Sequence, residues 1–133
     1  FARMETLYRG GLLPSEKDSE FIETQRKRYK SVFVDAMVAG VYKGLEAKDA
    51  RIALWFARKA MDEDPEREDV YTAMMRAQIE AGQRCSAIRT YFQCVCYLRN
   101  ELGLDPSLET KGLYEQLIAS DPSLVKLMPA SFA

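Results

Sequence analysis

The sequence predicts an all-α protein, built from antiparallel helix pairs stacked as a short solenoid with capping helices. Three observations point there. Apolar residues recur at helical spacing over five segments, which gives each segment one apolar face. Gly and Pro are sparse, 7 and 5 in 133 residues, and fall mostly between those segments, as the turns of helix pairs do. A shift of the chain by 34 residues brings like residues into register.

The elements follow in order. Residues 1–18 form a connector from a preceding domain: Arg3 to Arg9 end an earlier helix, Gly10-Gly11 stop it, and Pro14 and Ser15 continue the turn. A first long helix runs from about Ser19 to Gly44 or Leu45. Its apolar stripe is Phe21, Tyr29, Val32, Phe33, Ala36, Met37, Gly40 and Val41. The basic stretch Arg26, Lys27, Arg28 and Lys30 on this helix is read as a solvated face before it is read as a partner-binding patch. The second helix spans about Asp49 to Glu63. Ala50, Ala53, Ala57 and Ala60 make a ridge of small side chains along which a neighbouring backbone can come close. Leu54, Trp55, Phe56 and Met61 widen the apolar surface, and Trp55 is expected in the core.

Asp64-Pro65 is expected to start the third helix, with Asp64 as cap, Pro65 in the first position and Glu66 in the first turn. This helix runs to Ala81, with Val70, Tyr71, Met74, Ala77 and Ala81 on one side, and Gly82 closes it. The fourth spans Arg84 to Leu102 with the stripe Ala87/Ile88, Tyr91/Phe92, Val95, Leu98 and Leu102, and Gly103 ends it. Asp105-Pro106 starts a fifth, anchored by Leu108, Leu113, Leu117 and Ile118, and Asp121-Pro122 begins a last short piece. The expected organisation is a connector over 1–18, a helical domain over 19–119 and a C-terminal tail over 120–133.

The 34-residue shift aligns Asp35 with Asp69, Ala39 with Ala73, Glu46 with Glu80, Ala47 with Ala81 and Ala53 with Ala87. That period resembles the tetratricopeptide repeat. Ala87 and Tyr91 match the Ala and aromatic of the repeat's second helix. Ala57 stands where the first unit should have its aromatic, Arg99 replaces the second unit's closing Pro, and neither unit has the early Trp. The resemblance implies a right-handed stack of about two imperfect units, with the fifth helix capping one end. It also implies that the first helix of each pair lines a concave surface. Carried over position by position, that groove is Asp35, Val38, Tyr42, Leu45 and Glu46, then Asp69, Thr72, Arg76, Ile79 and Glu80. Its acidic edges would suit a basic or mixed-charge peptide.

A more specific resemblance covers Leu7 to Ile118. It rests on Leu7 to Pro14, Gln25 to Tyr29, Asp64 to Glu68, Met75-Arg76-Ala77, and above all Leu98 to Ser107 with Glu109-Thr110 and Leu113-Tyr114. These blocks resemble the bacterial transcriptional activator domain. Phe92 to Tyr97 departs from it, since more basic residues belong there. The resemblance implies a tetratricopeptide-like module of a bacterial transcription regulator, acting through self-association or through contacts with other domains of the regulator or with transcription machinery. DNA reading would lie elsewhere in a longer protein, of which a chain opening on Phe1 is expected to be a fragment. The alternative is a stand-alone tetratricopeptide adaptor that captures a peptide of a partner protein. A third class is a small-molecule sensor using the Trp55/Phe56 region.

Composition narrows the chemistry. A net charge of −1 argues against direct nucleic-acid contact. No apolar run reaches the roughly 18 residues of a membrane helix. The three cysteines, Cys85, Cys94 and Cys96, are odd in number and have no His to join them at a metal, so reduced thiols of a cytoplasmic protein are expected, with no cofactor. The carboxylates at Asp62, Glu63 and Asp64 and at Glu68 and Asp69 sit at helix ends, where they cap and solubilise rather than catalyse. Without His, no Ser is activated as a nucleophile. The chain is therefore expected not to be an enzyme.

Overall fold

The structure is a computed structural model that describes residues 16–128. Among these, five α-helices follow one another: α1 (Glu16–Glu46), α2 (Ala50–Glu63), α3 (Glu68–Glu80), α4 (Arg84–Tyr97) and α5 (Leu108–Ser120). A π-helical segment, Leu98–Leu102, continues α4, and a 3-10 helix, Pro122–Leu127, follows α5. No strand occurs among the described residues. The fold is all-α, as the periodicity predicts. The expected connector lies outside the described residues up to residue 15, and Glu16 already opens α1. The last residues of the expected tail, Pro129 to Ala133, also lie outside them, whereas Leu124 of the 3-10 helix is buried against α4 and α5.

Helix α1 pairs with α2 and α3 pairs with α4, each across a three-residue turn. The two turns are the same structure one period apart. Asp49 N–H donates to Gly44 C=O at 2.8 Å, and Gln83 N–H donates to Gln78 C=O at 2.8 Å. Lys48 N–H bonds Leu45 C=O as Gly82 N–H bonds Ile79 C=O. These are Schellman closures, which place one residue in the left-handed region. Gly82 (φ 77°) does this freely, and Lys48 (φ 59°) does it against the steric preference of an L side chain. The backbone thus repeats where the residue type does not. Asp49 also accepts Ile52 N–H and so caps α2, which explains why α2 begins at Ala50.

Between α1 and α2 the small residues allow close approach. A Cβ on Gly40 would meet the Phe56 ring at 2.6 Å, and one on Gly44 would meet the Ala53 backbone nitrogen at 2.8 Å. The expected alanine ridge is real at Ala53, Ala57 and Ala60, all fully buried.

Helix α3 lies in the middle and packs on α1, α2, α4 and α5. Every residue from Val70 to Met75 is buried, so the one-sided stripe expected for it becomes an all-round one. On one flank, Val34, Met37, Val41, Ala53, Leu54, Ala57 and Ala60 pack against Val70, Ala73, Met74 and Ala77. On the other, Met75 joins Ile88, Phe92, Leu113, Leu117 and Leu124. Tyr71, Cys94 and Leu98 fill the gap beside them.

Several expectations change. The α1 stripe is rotated: Val34 is fully buried and Val32 is exposed, as are Phe21 and Ala36. Trp55 is 53% exposed and not core, because Phe56 is the ring that covers Gly40. Asp64-Pro65 does not start α3. Asp64 ends α2, its side chain accepts Glu66 N–H, and α3 begins only at Glu68. Leu102 is exposed because the π-segment widens the helix and turns it outward. Leu108 is 87% exposed, since Ser107 caps α5 and leaves Leu108 on its first, outward turn.

Two substitutions test this packing by urea denaturation. Lys48→Gly is expected to raise stability by about 0.5–1 kcal/mol, because the left-handed strain released, about 1–2 kcal/mol, exceeds the added chain entropy of glycine. Gly44→Ala is expected to lower it by about 1–2 kcal/mol. The helix-propensity gain of about 1 kcal/mol is outweighed by a backbone contact that cannot yield, for which overpacking costs run to about 3 kcal/mol.

Candidate functional site

The side-by-side helices α1, α3 and α5 bring together most of the residues expected to line a groove. Three polar clusters tie them.

The first joins α1 to the start of α3. Arg67, just before α3, donates to both carboxylate oxygens of Asp69 at 3.0 and 2.7 Å and to Asp35 of α1 at 2.7 Å. This fork geometry suits guanidinium to carboxylate. The hydrogen bond to Asp69 is the largest influence holding the Arg67 guanidinium above its ordinary pKa, with burial acting against it. Asp35 and Asp69 therefore share one cation, which offsets half of their charge. An open cleft of about 310 Å³ beside them is lined by Lys27, Lys30, Ser31, Asp35, Asp64 and Arg67. Of the basic stretch, Lys27 and Arg28 are exposed, and Arg26 faces Glu23 at 3.9 Å.

The second cluster crosses all three helices. Arg76 of α3 donates to Glu109 of α5 at 2.8 Å. Burial pushes the Tyr42 phenol of α1 above its ordinary pKa, opposed by the nearby Arg76 charge and reinforced by Glu109 and Asp69. Tyr42, Arg76 and the 109–110 corner of α5 are successive positions of the 34-residue period, so α5 occupies the place of a third first-helix.

The third cluster is inside. Thr110 hydroxyl donates to Glu68 at 2.6 Å, and Ser107 N–H donates to the same carboxylate oxygen at 2.8 Å. Thr72 and Thr110 hydroxyls bond each other at 3.1 Å. Thr72 is only 4% exposed, so its hydroxyl serves this network and does not face a partner. Burial alone would raise the Glu68 carboxyl, but the bonds from Thr110 and Ser107 outweigh it and hold the group below the ordinary glutamate range.

Glu46 and Glu80 are exposed at the C-terminal ends of α1 and α3. Val38 and Leu45 pack on the first flank of the core and Ile79 on the second. The partners that the sequence did not assign to the groove are Arg67, Glu68, Glu109 and Thr110. Extending the shift from Arg76 by one more period reaches Thr110 and would have marked α5.

No group of His, Cys, Asp or Glu among the described residues is arranged to hold a metal ion. Cys85 is exposed, Cys96 half-buried and Cys94 buried, with burial pushing the Cys94 thiol up to about 12. A thiol so raised is a packing group rather than a nucleophile. No helix among the described residues is long and apolar enough to cross a membrane.

Glu68 gives this site a pH signature. A carboxyl depressed by folding adds stability that is complete above its unfolded pKa, about 4.3, and is lost as pH falls through the lower folded value. Glu68→Gln is expected to cost about 2–3 kcal/mol near neutral pH, given charge-assisted bonds of about 1.5–3 kcal/mol. The variant's stability should also fall less than the parent's between pH 6 and the acid limb, in urea melts at a series of pH values.

A family model described as the bacterial transcriptional activator domain matches residues 5–118. No curated protein and no solved structure matches the chain. The matched span takes in α1 to α4 and α5 as far as Ile118, and it includes the Leu98 to Ser107 block whose π-segment, left-handed Gly103 and Ser107 cap deliver α5 onto α3. The chain belongs to the family of bacterial transcriptional activator domains, a regulatory family whose role lies in bacterial transcriptional activation.

Proposed function

We propose that this domain is the protein–protein interaction or self-association module of a bacterial transcriptional activator, with DNA contacted by another part of the full-length protein. The family match over residues 5–118 carries this reading. The polar surface of α1, α3 and α5 supports it. There Glu46 and Glu80 stand exposed one period apart, and Tyr42, Arg76 and Glu109 form a fixed cluster between them and the Asp35–Arg67–Asp69 bridge. Such a surface offers oriented charges held by a rigid helical stack, the arrangement repeat modules use for partner capture. The ion pairs make the groove mixed in charge rather than uniformly acidic, so it suits a segment that carries both signs. No cofactor or catalysis enters the role, and the setting is the bacterial cytoplasm.

The test is a double charge reversal, Asp69→Lys with Glu80→Lys, in the complete regulator. Reporter transcription is expected to fall at least fivefold, while operator binding in a mobility-shift assay stays at the parental level. Unchanged transcription with both carboxylates reversed would remove this surface from the mechanism.

A further inference from the structure

The solvent face of α2 has no part in the clusters above. Arg51, Ile52, Trp55, Arg58 and Lys59 recur at i, i+1, i+4, i+7 and i+8, one side of a helix, and all five are exposed. Ile52 is 46% and Trp55 53% exposed, on a helix whose opposite side is fully buried alanine. The Trp55 ring is held in place. Phe56 meets it edge-on with centroids 5.0 Å apart, and the Lys59 ammonium lies 5.4 Å from its centroid. A large aromatic that is already oriented loses little entropy on being covered, which is why Trp and Arg dominate binding hot spots.

The charge on this face is mostly basic, with Arg51, Arg58 and Lys59 against one exposed carboxylate, Asp62, at its C-terminal end. α2 carries carboxylates only at its last two residues, Asp62 and Glu63, and α4 carries none. Arg84 and Arg89 of α4 are exposed, and Arg89 holds in the second unit the place of Trp55 in the first. By contrast, α3 and α5 carry Glu68, Asp69, Glu80, Glu109 and Glu115 against Arg76 and Lys111. The near-neutral chain is thus segregated, with its second helices basic and its later first helices acidic.

We infer that the solvent face of α2 is a docking site for an acidic peptide segment of a partner protein, one that sets an apolar side chain on Ile52 and Trp55 and carboxylates against Arg51, Arg58 and Lys59. This rests on the protein-interaction role above and adds a second face together with the chemistry of its partner. A nucleic acid is disfavoured because the basic face is one helix wide on a chain of net charge −1.

The sequence holds a single tryptophan, so its fluorescence reports on this face directly. The probe is a synthetic peptide alternating Asp or Glu with Leu or Phe, beside the same peptide with every carboxylate replaced by its amide. The acidic peptide is expected to shift Trp55 emission to the blue and to bind more weakly as salt rises. Arg58→Glu with Lys59→Glu should raise its Kd at least tenfold with an unchanged circular dichroism spectrum. No shift at millimolar peptide, equal binding of the amide peptide, a larger shift with duplex DNA, or a blue shift with protein concentration alone would each overturn the assignment. The α2 double variant also enters the reporter assay beside Asp69→Lys/Glu80→Lys. Loss of transcription in the groove variant alone defeats the α2 site and leaves the regulatory role. Parental transcription in both, with the peptide still shifting Trp55, defeats the regulatory role and leaves the site.

Discussion

Helix α3 is packed on four sides, and the rest of the molecule is arranged around that constraint. The polar groups it buries on the sides so covered each need a partner. These are Thr72, whose hydroxyl meets Thr110 and the Glu68 carbonyl, and the partly buried Glu68, whose carboxylate gathers bonds from Thr110 and Ser107. Thr110 and Ser107 both lie at the start of α5. The polar requirements of α3 therefore fix where α5 begins, and through it where Leu113 and Leu117 enter the second flank of the core. The π-segment and left-handed Gly103 serve the same end, because they turn the chain from α4 back to that point.

This arrangement also explains why the two flanks of α3 differ. Toward α1 and α2 the interface combines alanines and valines with Met37, Leu54 and Met74, and the closest backbone approach lies between α1 and α2 themselves, at Gly40 and Gly44. Toward α4 and α5 it is built from larger groups. Tyr91 stacks on Tyr114 with centroids 4.3 Å apart, and the Tyr97 hydroxyl donates to Glu66 C=O at 3.0 Å, fastening the end of α4 to the turn before α3. Close backbones tolerate no added volume, whereas aromatic contacts adapt by ring rotation.

The helix pairs and the repeat were legible in the sequence because periodicity, glycine closures and small-residue ridges are local signals. Gly82 and Gly103 end helices where expected, and the alanines of α2 are buried as their spacing implies. What was illegible depends on partners distant in the chain. Val34 rather than Val32 faces the core because the position of α3 decides which side of α1 is covered. Trp55 and Phe56 are adjacent and equally apolar, and only Gly40 across the interface selects Phe56. Asp64-Pro65 carries the composition of a helix start, yet Arg67 reaches Asp35 and Asp69, and α3 begins three residues later than a proline start would place it. Of the candidate groove, Asp35, Tyr42, Asp69 and Arg76 were proposed from the tetratricopeptide resemblance. Their ion-pair partners were not, because Arg67 and Glu109 lie outside the repeat positions compared.

The closure of α5 over α3 bears on which surfaces of such a stack remain free to recognise a partner. In an open solenoid the first helices present a continuous concave strip. Here the third of them engages Thr72 and Arg76 directly, so side chains that an open stack would offer outward are spent internally. What remains of that strip is its acidic ends at Glu46 and Glu80 and a centre whose charges are largely paired. Long-range attraction depends on net local charge and falls off within about a Debye length of roughly 8 Å in physiological salt. A largely paired centre therefore contributes mainly shape and hydrogen bonding, while most uncompensated charge comes from the ends of the strip or from another face. Among the described residues, the basic side of α2, with its oriented tryptophan, keeps both charge and apolar area exposed.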